Sequence, residues 1–208
     1  GRTYGVPQSL SAMVLYYRTD LFEKYNLMPE DIATWDDFVR KGEELAAKHQ
    51  SLTAIDPTYF DVLLRQRGSD LFGKDGQPFP DEVMAIDTLE FLVELKEKRI
   101  GIVPDRASVF DPVFFSSSVS PGEILCLIGA DWYGLDMLQQ FTPELSGKWG
   151  VMPLPAWKDA NGIPGRRTST FAGQGLLIYK ETKQPDTAWK FLEFVMTDTE
   201  ANVKRFVD

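Results

Sequence analysis

Few side chains in this sequence could carry out covalent or metal chemistry. His49 is the only histidine and Cys126 the only cysteine. A Ser-His-Asp or Cys-His arrangement would have to use His49, which lies at the polar end of a predicted helix. A zinc site could draw only on these two residues and on carboxylates. No HExxH, CxxC, Walker or GxGxxG motif occurs. The sequence therefore predicts no catalytic residues, no bound metal and no cofactor.

Binding chemistry is better supported, at Asp131 and Trp132. They follow the apolar run from Glu123 to Ile128, which predicts a buried strand, and Asp131 can cap a helix through about Gln140. In open α/β sheets, ligands bind at such strand ends. Two interpretations of each residue stay open. Trp132 is either a core tryptophan or a ligand contact, and Asp131 is either a plain N-cap or a cap that also accepts ligand hydroxyls.

Composition and charge exclude some classes of partner. The 208 residues carry a net charge of −9 without a basic stripe, which argues against nucleic-acid binding. A hydrophobic content of 43% supports a full globular core, and no apolar run is long enough to span a bilayer. A lone cysteine rules out a disulfide within the chain and fits either the cytoplasm or an exported bacterial protein.

The stretch from Gly1 to Tyr17 predicts two strands with a break between them. The residues from Tyr4 to Val6 and from Met13 to Tyr17 are prone to form strands, whereas Pro7 to Ser11 is small and polar. Because proline lacks an N–H, Pro7 should not lie inside a central strand. The break is either a bulge in one strand or a hinge between two lobes, with polar side chains facing the gap.

Elements further along the chain can be predicted from caps and periodicity. Apolar residues at helical spacing (Val83, Ile86, Leu89, Leu92, Leu95) predict a helix that Gly101 ends as the C′ glycine. The predicted helices cover about 19–25 (ended by Asn26), 35–48 (capped by Thr34), 59–67, 81–99, 186–196 and 198–206. Further strands are predicted at 52–55, 123–128, 149–153 and 176–179, the last after a glycine-rich break at 171–175.

Six segments stand in a characteristic order. They are YGVP with VLYYRTDLFEKYNL, TWDDF, GEILCLIGADWYG, WGVMPLP, FAGQGLLIYK and PDTAWKFLEFVMTDTE. In this order they resemble the extracellular solute-binding proteins of ABC importers, in the group that mostly carries sugars, over essentially the whole chain. Two departures from the family pattern are Asn26 in place of a glycine and Leu125-Cys126 in place of an alanine-methionine pair. Neither is expected to touch the ligand.

The resemblance implies an α/β fold of the periplasmic-binding-protein-like type II class. Two lobes are joined by crossing strands, and the ligand lies in the cleft between them. On this chain, residues 8–170 would form one complete lobe, and residues 1–7 and 171–208 would be pieces of the other, incomplete lobe. About the first hundred residues of the family would lie outside this chain.

The resemblance also implies which residues contact the ligand. An aromatic ring at Trp132 would stack on the apolar face of a sugar, beside Asp131. Tyr59 or Phe60 would supply a second cleft aromatic, and we favour Tyr59 because of its hydroxyl. The two crossings between the lobes would add Gln8, Ser9, Ser11, Gly173 and Gln174. Of these, Gly173 would let the backbone approach closely.

The implied function is that of a binding protein without enzymatic activity. It would close on a sugar or oligosaccharide by hinge motion and deliver it, as a monomer, to the membrane subunits of an ABC permease. The family would locate it in the periplasm or, lipid-anchored, at the outer face of the cell membrane. Two alternatives are a glycosidase with a carboxylate pair and a binding module that serves a sensor.

Overall fold

The computed structural model describes residues 5–104 and 108–207. The chain divides into two compact units. The larger unit is Ser11–Phe171, and the smaller unit combines Gly1–Leu10 with Ala172–Asp208. These bounds differ by a few residues from the expected lobes, 8–170 and 1–7 with 171–208. The interpretation of the units as one complete and one incomplete lobe stays a prediction.

A mixed β-sheet forms the centre of the larger unit. Its strands run in the order β3-β2-β4-β1-β5, and β6 pairs with β1. Parallel pairing joins β2 to β3 and to β4, whereas β1 is antiparallel to both β4 and β5. The strand bounds are β1 Val6–Arg18, β2 Ser51–Ala54, β3 Gly101–Ile102, β4 Ile124–Ala130, β5 Trp149–Pro153 and β6 Thr170–Leu176.

Helices follow the strands in the α/β manner. The longer ones are α1 Thr19–Tyr25, α2 Trp35–Ala46, α3 Thr58–Arg67, α4 Glu82–Glu97, α7 Pro185–Thr197 and α8 Thr199–Val207. Two short pieces, α5 Pro112–Phe114 and α6 Gln139–Phe141, adjoin π-helical turns at Phe115–Val119 and Gly134–Leu138. Short 3₁₀ turns lie at Pro29–Ile32 and Pro143–Leu145. Across the described ranges, none of the helices combines the length and apolar character that crossing a membrane requires.

The core of the larger unit lies on both faces of β4. All seven residues of β4 are buried, as expected for a continuous apolar run in a central strand. Trp35 and Phe38 from α2, and Leu63 from α3, are almost fully enclosed beside it. The apolar stripes of the helices therefore cover the sheet and hold its strand ends in place.

Several local signals give the predicted boundaries. The hydroxyl of Thr34 accepts the Asp37 N–H at 3.2 Å at the start of α2, and Asp81 accepts the Met84 N–H at 3.0 Å at the start of α4. Asn26 ends α1 in the left-handed conformation, with φ of 53°. The predicted α1 and β5 have the observed bounds.

The interruption of strand structure predicted at Pro7 to Ser11 is wrong, whereas the alternative of a hinge there stays a prediction. β1 runs without interruption through Pro7 to Arg18 over 13 residues. Proline is compatible with a strand near its first residue, and Pro7 is the second residue of β1. Val6–Arg18 is therefore a single strand, with residues up to Leu10 in the smaller unit and residues from Ser11 in the larger one, and Tyr4 of the predicted first strand lies outside the described residues.

Around Gly173 the structure reverses the predicted positions of the strand and of the break. The predicted glycine-rich break belongs to β6, whereas residues 177–179 of the predicted strand are not in a strand. A Cβ atom on Gly173 would lie 3.1 Å from the Ser9 carbonyl oxygen, so the two backbones approach closely there. Pairing with β1 thus outweighs the low strand propensity of glycine.

The end and the buried face of α4 also differ from the prediction. Arg99, with φ of 58°, takes the left-handed position, and Gly101 lies in β3 instead. The stripe that predicted the helix is buried only at Leu92 and Leu95, while Val83, Ile86 and Leu89 are exposed. Residues buried in their place include Ala85, Thr88 and Phe91. The helical spacing of the apolar residues correctly predicted a helix, but tertiary packing buries a different face of α4.

Candidate functional site

Three parallel strands of the larger unit end at the same edge of the sheet. β2 is followed by Asp56, β3 leads to Val109 and Phe110, and β4 is followed directly by Asp131 and Trp132. Carboxyl ends of parallel strands are where open α/β sheets bind ligands. These three connections therefore define the candidate site.

Asp56 ties the connection after β2 to the connection after β3. One carboxylate oxygen accepts hydrogen bonds from the Thr58 amide at 2.9 Å and the Thr58 hydroxyl at 2.6 Å. Its other oxygen accepts the Val109 N–H at 2.9 Å. Because Asp56 is only 2% exposed, these bonds are shielded from water, and they fix the backbone next to Phe110.

Two tyrosines fix the connection after β4. The Tyr133 hydroxyl donates to the Val109 carbonyl at 2.5 Å. The Tyr16 hydroxyl donates to the Ala130 carbonyl at 2.9 Å and accepts the Gly134 N–H at 3.2 Å. Burial raises the pKa of both phenols above the ordinary value, so both stay protonated and able to donate at neutral pH.

Phe110 and Trp132 form an aromatic platform at this edge. Their rings stack with centroids 6.1 Å apart and an angle of 23° between their planes. Both side chains are half-buried, and the Tyr133 ring meets Phe110 edge-on at 5.7 Å. An aromatic face that is partly open to solvent can stack on the apolar C–H face of a sugar ring.

Asp131 is exposed beside the platform. Its carboxylate accepts the Trp132 N–H at 3.0 Å, and its own N–H donates to the Ala12 carbonyl at 3.0 Å. The predicted capped helix through Gln140 is instead a turn, a π-helical segment and the short α6. The carboxylate still has acceptor positions for a ligand hydroxyl. Asp131 also lines a cavity of about 340 Å³ that Trp149 and Val151 of β5 border.

The placement of Tyr59 and Phe60 is the opposite of our expectation. Tyr59 is 2% exposed and lies in the core, where burial raises the pKa of its hydroxyl well above the ordinary value. Phe60 is half-buried and packs on Phe79 at 6.2 Å. The first turn of α3 turns Tyr59 toward the sheet, so its enclosure argues against contact between this side chain and a ligand.

The remaining candidate residues divide between the two units. Ser11 belongs to the larger unit and is buried, at 6% exposure. The smaller unit contains Gln8, which is half-buried, and three exposed residues, Ser9, Gly173 and Gln174. Within that unit Gly173 lies against Ser9, where β6 pairs with β1. The structure thus brings Asp131 and Trp132 together, and separately Ser9 and Gly173.

Sequence reasoning missed Phe110 and Asp56. The sequence around Phe110 has only weak helical character, and the pair Asp56-Pro57 is typical of a turn. The signal that could have found Asp56 is a carboxylate directly after a buried strand, the criterion that selected Asp131. In the described part of the chain, no group of three or more His, Cys, Asp or Glu could hold a metal ion.

Comparison with known families assigns the chain to one of them. Residues 1–202 match the family model of the bacterial extracellular solute-binding proteins. The chain therefore belongs to this family, a family of binding proteins and not of enzymes. The resemblance inferred from the six segments is confirmed.

Named relatives are identical to this chain at about a quarter of the aligned positions. It is 28% identical to an arabinooligosaccharide-binding protein of Halalkalibacterium halodurans, over 98% of this chain and 46% of that protein. It is 27% identical to a lactose-binding protein of Rhizobium radiobacter, over 92% of this chain and 45% of that protein. The chain thus spans about half the length of the curated relatives it matches.

Solved structures confirm the fold class. The galacto-N-biose/lacto-N-biose I-binding protein of the Bifidobacterium longum ABC transporter, solved with lacto-N-biose, matches with a TM-score of 0.75 and 22% identity. The match covers 98% of this chain and 50% of that one. The type II periplasmic-binding-protein fold predicted from the resemblance is therefore correct.

Proposed function

We propose that the protein containing this chain is the sugar-binding component of an ABC importer. The observation that carries the proposal is the family match over residues 1–202. Relatives named for arabino-oligosaccharides and lactose favour a sugar or oligosaccharide as the ligand. The permease subunits are the proposed membrane partner, and the proposed location is the periplasm or, by a lipid anchor, the outer face of the cell membrane.

The aromatic platform is the proposed sugar contact of the larger unit. Trp132 and Phe110 would stack on the apolar faces of sugar rings, while Asp131 would accept hydrogen bonds from hydroxyl groups. The bonds of Asp56 and Tyr133 to Val109 hold the platform before a ligand arrives. Such preorganisation reduces the entropy lost on binding. Candidates for polar contacts with a ligand are still Gln8, Ser9, Ser11, Gly173 and Gln174.

A thermal-shift screen of the full-length protein tests the proposal. Arabino-oligosaccharides, lactose and maltodextrins should include a ligand that raises the melting temperature, because a ligand that binds only the folded state stabilises it. We expect Trp132→Ala and Phe110→Ala each to weaken binding about tenfold or more, equivalent to ~1.4 kcal/mol. Phe72→Ala, which removes an exposed ring of the larger unit, is the matched control and should leave affinity unchanged.

Three results would contradict the proposal. Equal affinity in the wild type and in Trp132→Ala would exclude the platform as the sugar contact. Catalytic turnover of an oligosaccharide by the purified protein would favour the glycosidase alternative. If the protein binds a sugar but cells that lack the protein still import that sugar normally, a module serving a sensor would instead be favoured.

A further inference from the structure

The connection between α3 and α4, residues 68–81, brings an exposed aromatic ring close to the candidate site. Because β2 and β3 are parallel and α4 leads directly into β3, the chain has to return toward the carboxyl ends of the strands between the two helices. Phe79 lies near the end of this return. Its ring meets Phe60, in the first turn of α3, with centroids 6.2 Å apart and 71° between the planes.

Backbone hydrogen bonds fold this connection into a hairpin that holds Phe79 in place. The Gly73 N–H donates to the Gln77 carbonyl at 2.8 Å, and the Phe79 N–H donates to the Leu71 carbonyl at 2.8 Å. The second bond joins the two arms of the hairpin directly at Phe79. The position of the Phe79 ring is therefore set by the hairpin as well as by its contact with Phe60.

Phe79 has a backbone conformation that is unfavourable for its residue type. Its φ of 48° lies in the left-handed region, which a bulky side chain rarely adopts. The residue is nevertheless 45% exposed, so only part of the ring gains from burial. Residues held in such conformations cluster at ligand-binding and other functional sites. The strain at an exposed phenylalanine therefore points to a role in binding.

The ring pair lies at the same edge of the sheet as the aromatic platform. One oxygen of the Asp56 carboxylate accepts the Thr58 N–H at the start of α3, and the other accepts the Val109 N–H next to Phe110. The strands β2 and β4, which lead to Asp56 and to the platform, pair directly and are therefore about 5 Å apart. One extended ligand could thus follow this edge from the platform to the ring pair.

We propose that Phe79, supported by Phe60, is a second aromatic contact for the sugar, which only ligands longer than a disaccharide reach. This inference rests on the proposed sugar-binding function. A contact between two rings at a steep angle covers at most one face of Phe79, and a sugar ring can stack on an open face. Since neither side chain can form a hydrogen bond, the contact favours longer chains without selecting a pattern of hydroxyl groups.

Calorimetric titration of the full-length protein with short and long sugars tests the inference. The probes are arabino-oligosaccharides and maltodextrins, each as a two-ring and a five-ring member. We expect the five-ring member of the preferred series to bind at least about fivefold tighter than the two-ring member, the gain typical of one aromatic contact. Phe79→Ala should remove most of this difference and leave the two-ring Kd unchanged. Trp132→Ala should weaken binding of both lengths.

Two further variants separate a ligand contact from a structural role. Glycine adopts a φ of 48° without strain, so Phe79→Gly should not lower the urea midpoint, yet it should weaken five-ring binding as Phe79→Ala does. Phe72→Ala is the matched control, because Phe72 is exposed on the same hairpin and makes no ring contact with another aromatic residue that the structure describes. It should leave both Kd values unchanged.

The possible failures of this inference and of the proposed function are distinguishable. The inference is overturned, and the sugar-binding function kept, if the wild type binds only two-ring probes or lactose, or binds both lengths equally well. It is also overturned if Phe79→Ala leaves the five-ring Kd unchanged, or if Phe72→Ala raises it as much. Binding to none of these sugars would contradict the proposed function and this inference together.

Discussion

Arg18 shows how one buried charge is accommodated at the end of a strand. Only 4% of the residue is exposed, and its guanidinium makes two 2.8 Å bonds to the Asp20 carboxylate. It also donates to the Val119 carbonyl at 3.1 Å and lies 5.9 Å from the Trp149 ring centroid. A buried guanidinium needs such partners, because an uncompensated charge in the interior is strongly destabilising.

The Arg18–Asp20 pair predicts a pH dependence of stability. The hydrogen bonds from Arg18 hold the pKa of Asp20 below its ordinary value, so the folded state favours the ionised carboxylate. This contribution is present above the ordinary aspartate pKa of about 3.9 and is lost as the pH falls through the lower folded-state pKa. We therefore expect Asp20→Asn to lower the urea midpoint at pH 7 and to have a smaller effect below about pH 4.

Asp136→Asn is the control for this experiment, because Asp136 is exposed on the same unit. Its effect on the urea midpoint should be small at both pH values. A stability difference between the wild type and Asp20→Asn that stayed constant down to acidic pH would contradict the role assigned to the pair.

At the residue scale, the sequence predicted the platform only in part. Asp131 and Trp132 were found because they directly follow a recognisable strand. Phe110 stacks on Trp132 across 22 positions of the sequence, and no local pattern encodes that contact. We favoured Tyr59 over Phe60 as a ligand contact because of its hydroxyl. The direction of α3 instead places the Tyr59 ring in the core, so the enclosed ring is the one we had favoured.

At the scale of elements, the contact between α2 and Ile100, the residue before β3, depends on one glycine. A Cβ atom added to Gly42 would collide with the Ile100 side chain, which is fully buried. Alanine normally stabilises a helix relative to glycine by about 1 kcal/mol. Here we expect the opposite sign, because overpacking a tight core costs about 1–3 kcal/mol.

Urea unfolding of Gly42→Ala measures this difference. Ala46→Gly, at the last residue of α2, is the companion variant and should cost up to about 1 kcal/mol, the value for a helix interior. Both substitutions should therefore destabilise, although they are chemically opposite. A Gly42→Ala protein more stable than the wild type would show that α2 can move away from Ile100 without cost.

Elements with local signals were predicted, and elements that depend on distant partners were not. The caps at Thr34, Asp81 and Asn26 involve bonds within a few residues, so the sequence is sufficient to locate them. The continuity of β1 through Pro7 and the extent of β6 depend on pairing between strands far apart in the chain. Local propensity opposed both, and tertiary pairing prevailed.

At the scale of the molecule, α7 in the smaller unit exposes a large apolar surface. Trp189, Phe191 and Phe194 are 48%, 67% and 55% exposed, and Leu192 is the buried residue of this helix. Exposed apolar groups of this size mark surfaces that another protein segment covers. Since relatives are about twice as long as this chain, we propose that further residues of the full-length protein cover α7.

Phe191→Asp tests this in two contexts. In the full-length protein we expect a loss of about 3 kcal/mol in urea unfolding, because a charge would be buried in apolar surroundings. In the 208-residue chain alone the same change should leave stability within about 0.5 kcal/mol. Phe72→Asp, at 64% exposure, is the control and should be neutral in both. A neutral Phe191→Asp in the full-length protein would mean that α7 stays uncovered.

The course of β1 through the sheet has a consequence for biosynthesis. Its residues pair with β4 and β5, so Leu15 meets Ile128 on one side and Met152 on the other. β1 is made before β4 and β5, and these two partners follow more than a hundred residues later in the chain. At about 5–20 residues per second, β1 waits roughly 7–28 s for β5 to be synthesised. Such long-range pairing folds slowly and leaves an apolar strand accessible meanwhile. During this interval the nascent chain holds β1 without β4 and β5, so its apolar residues are open to pairing with another molecule.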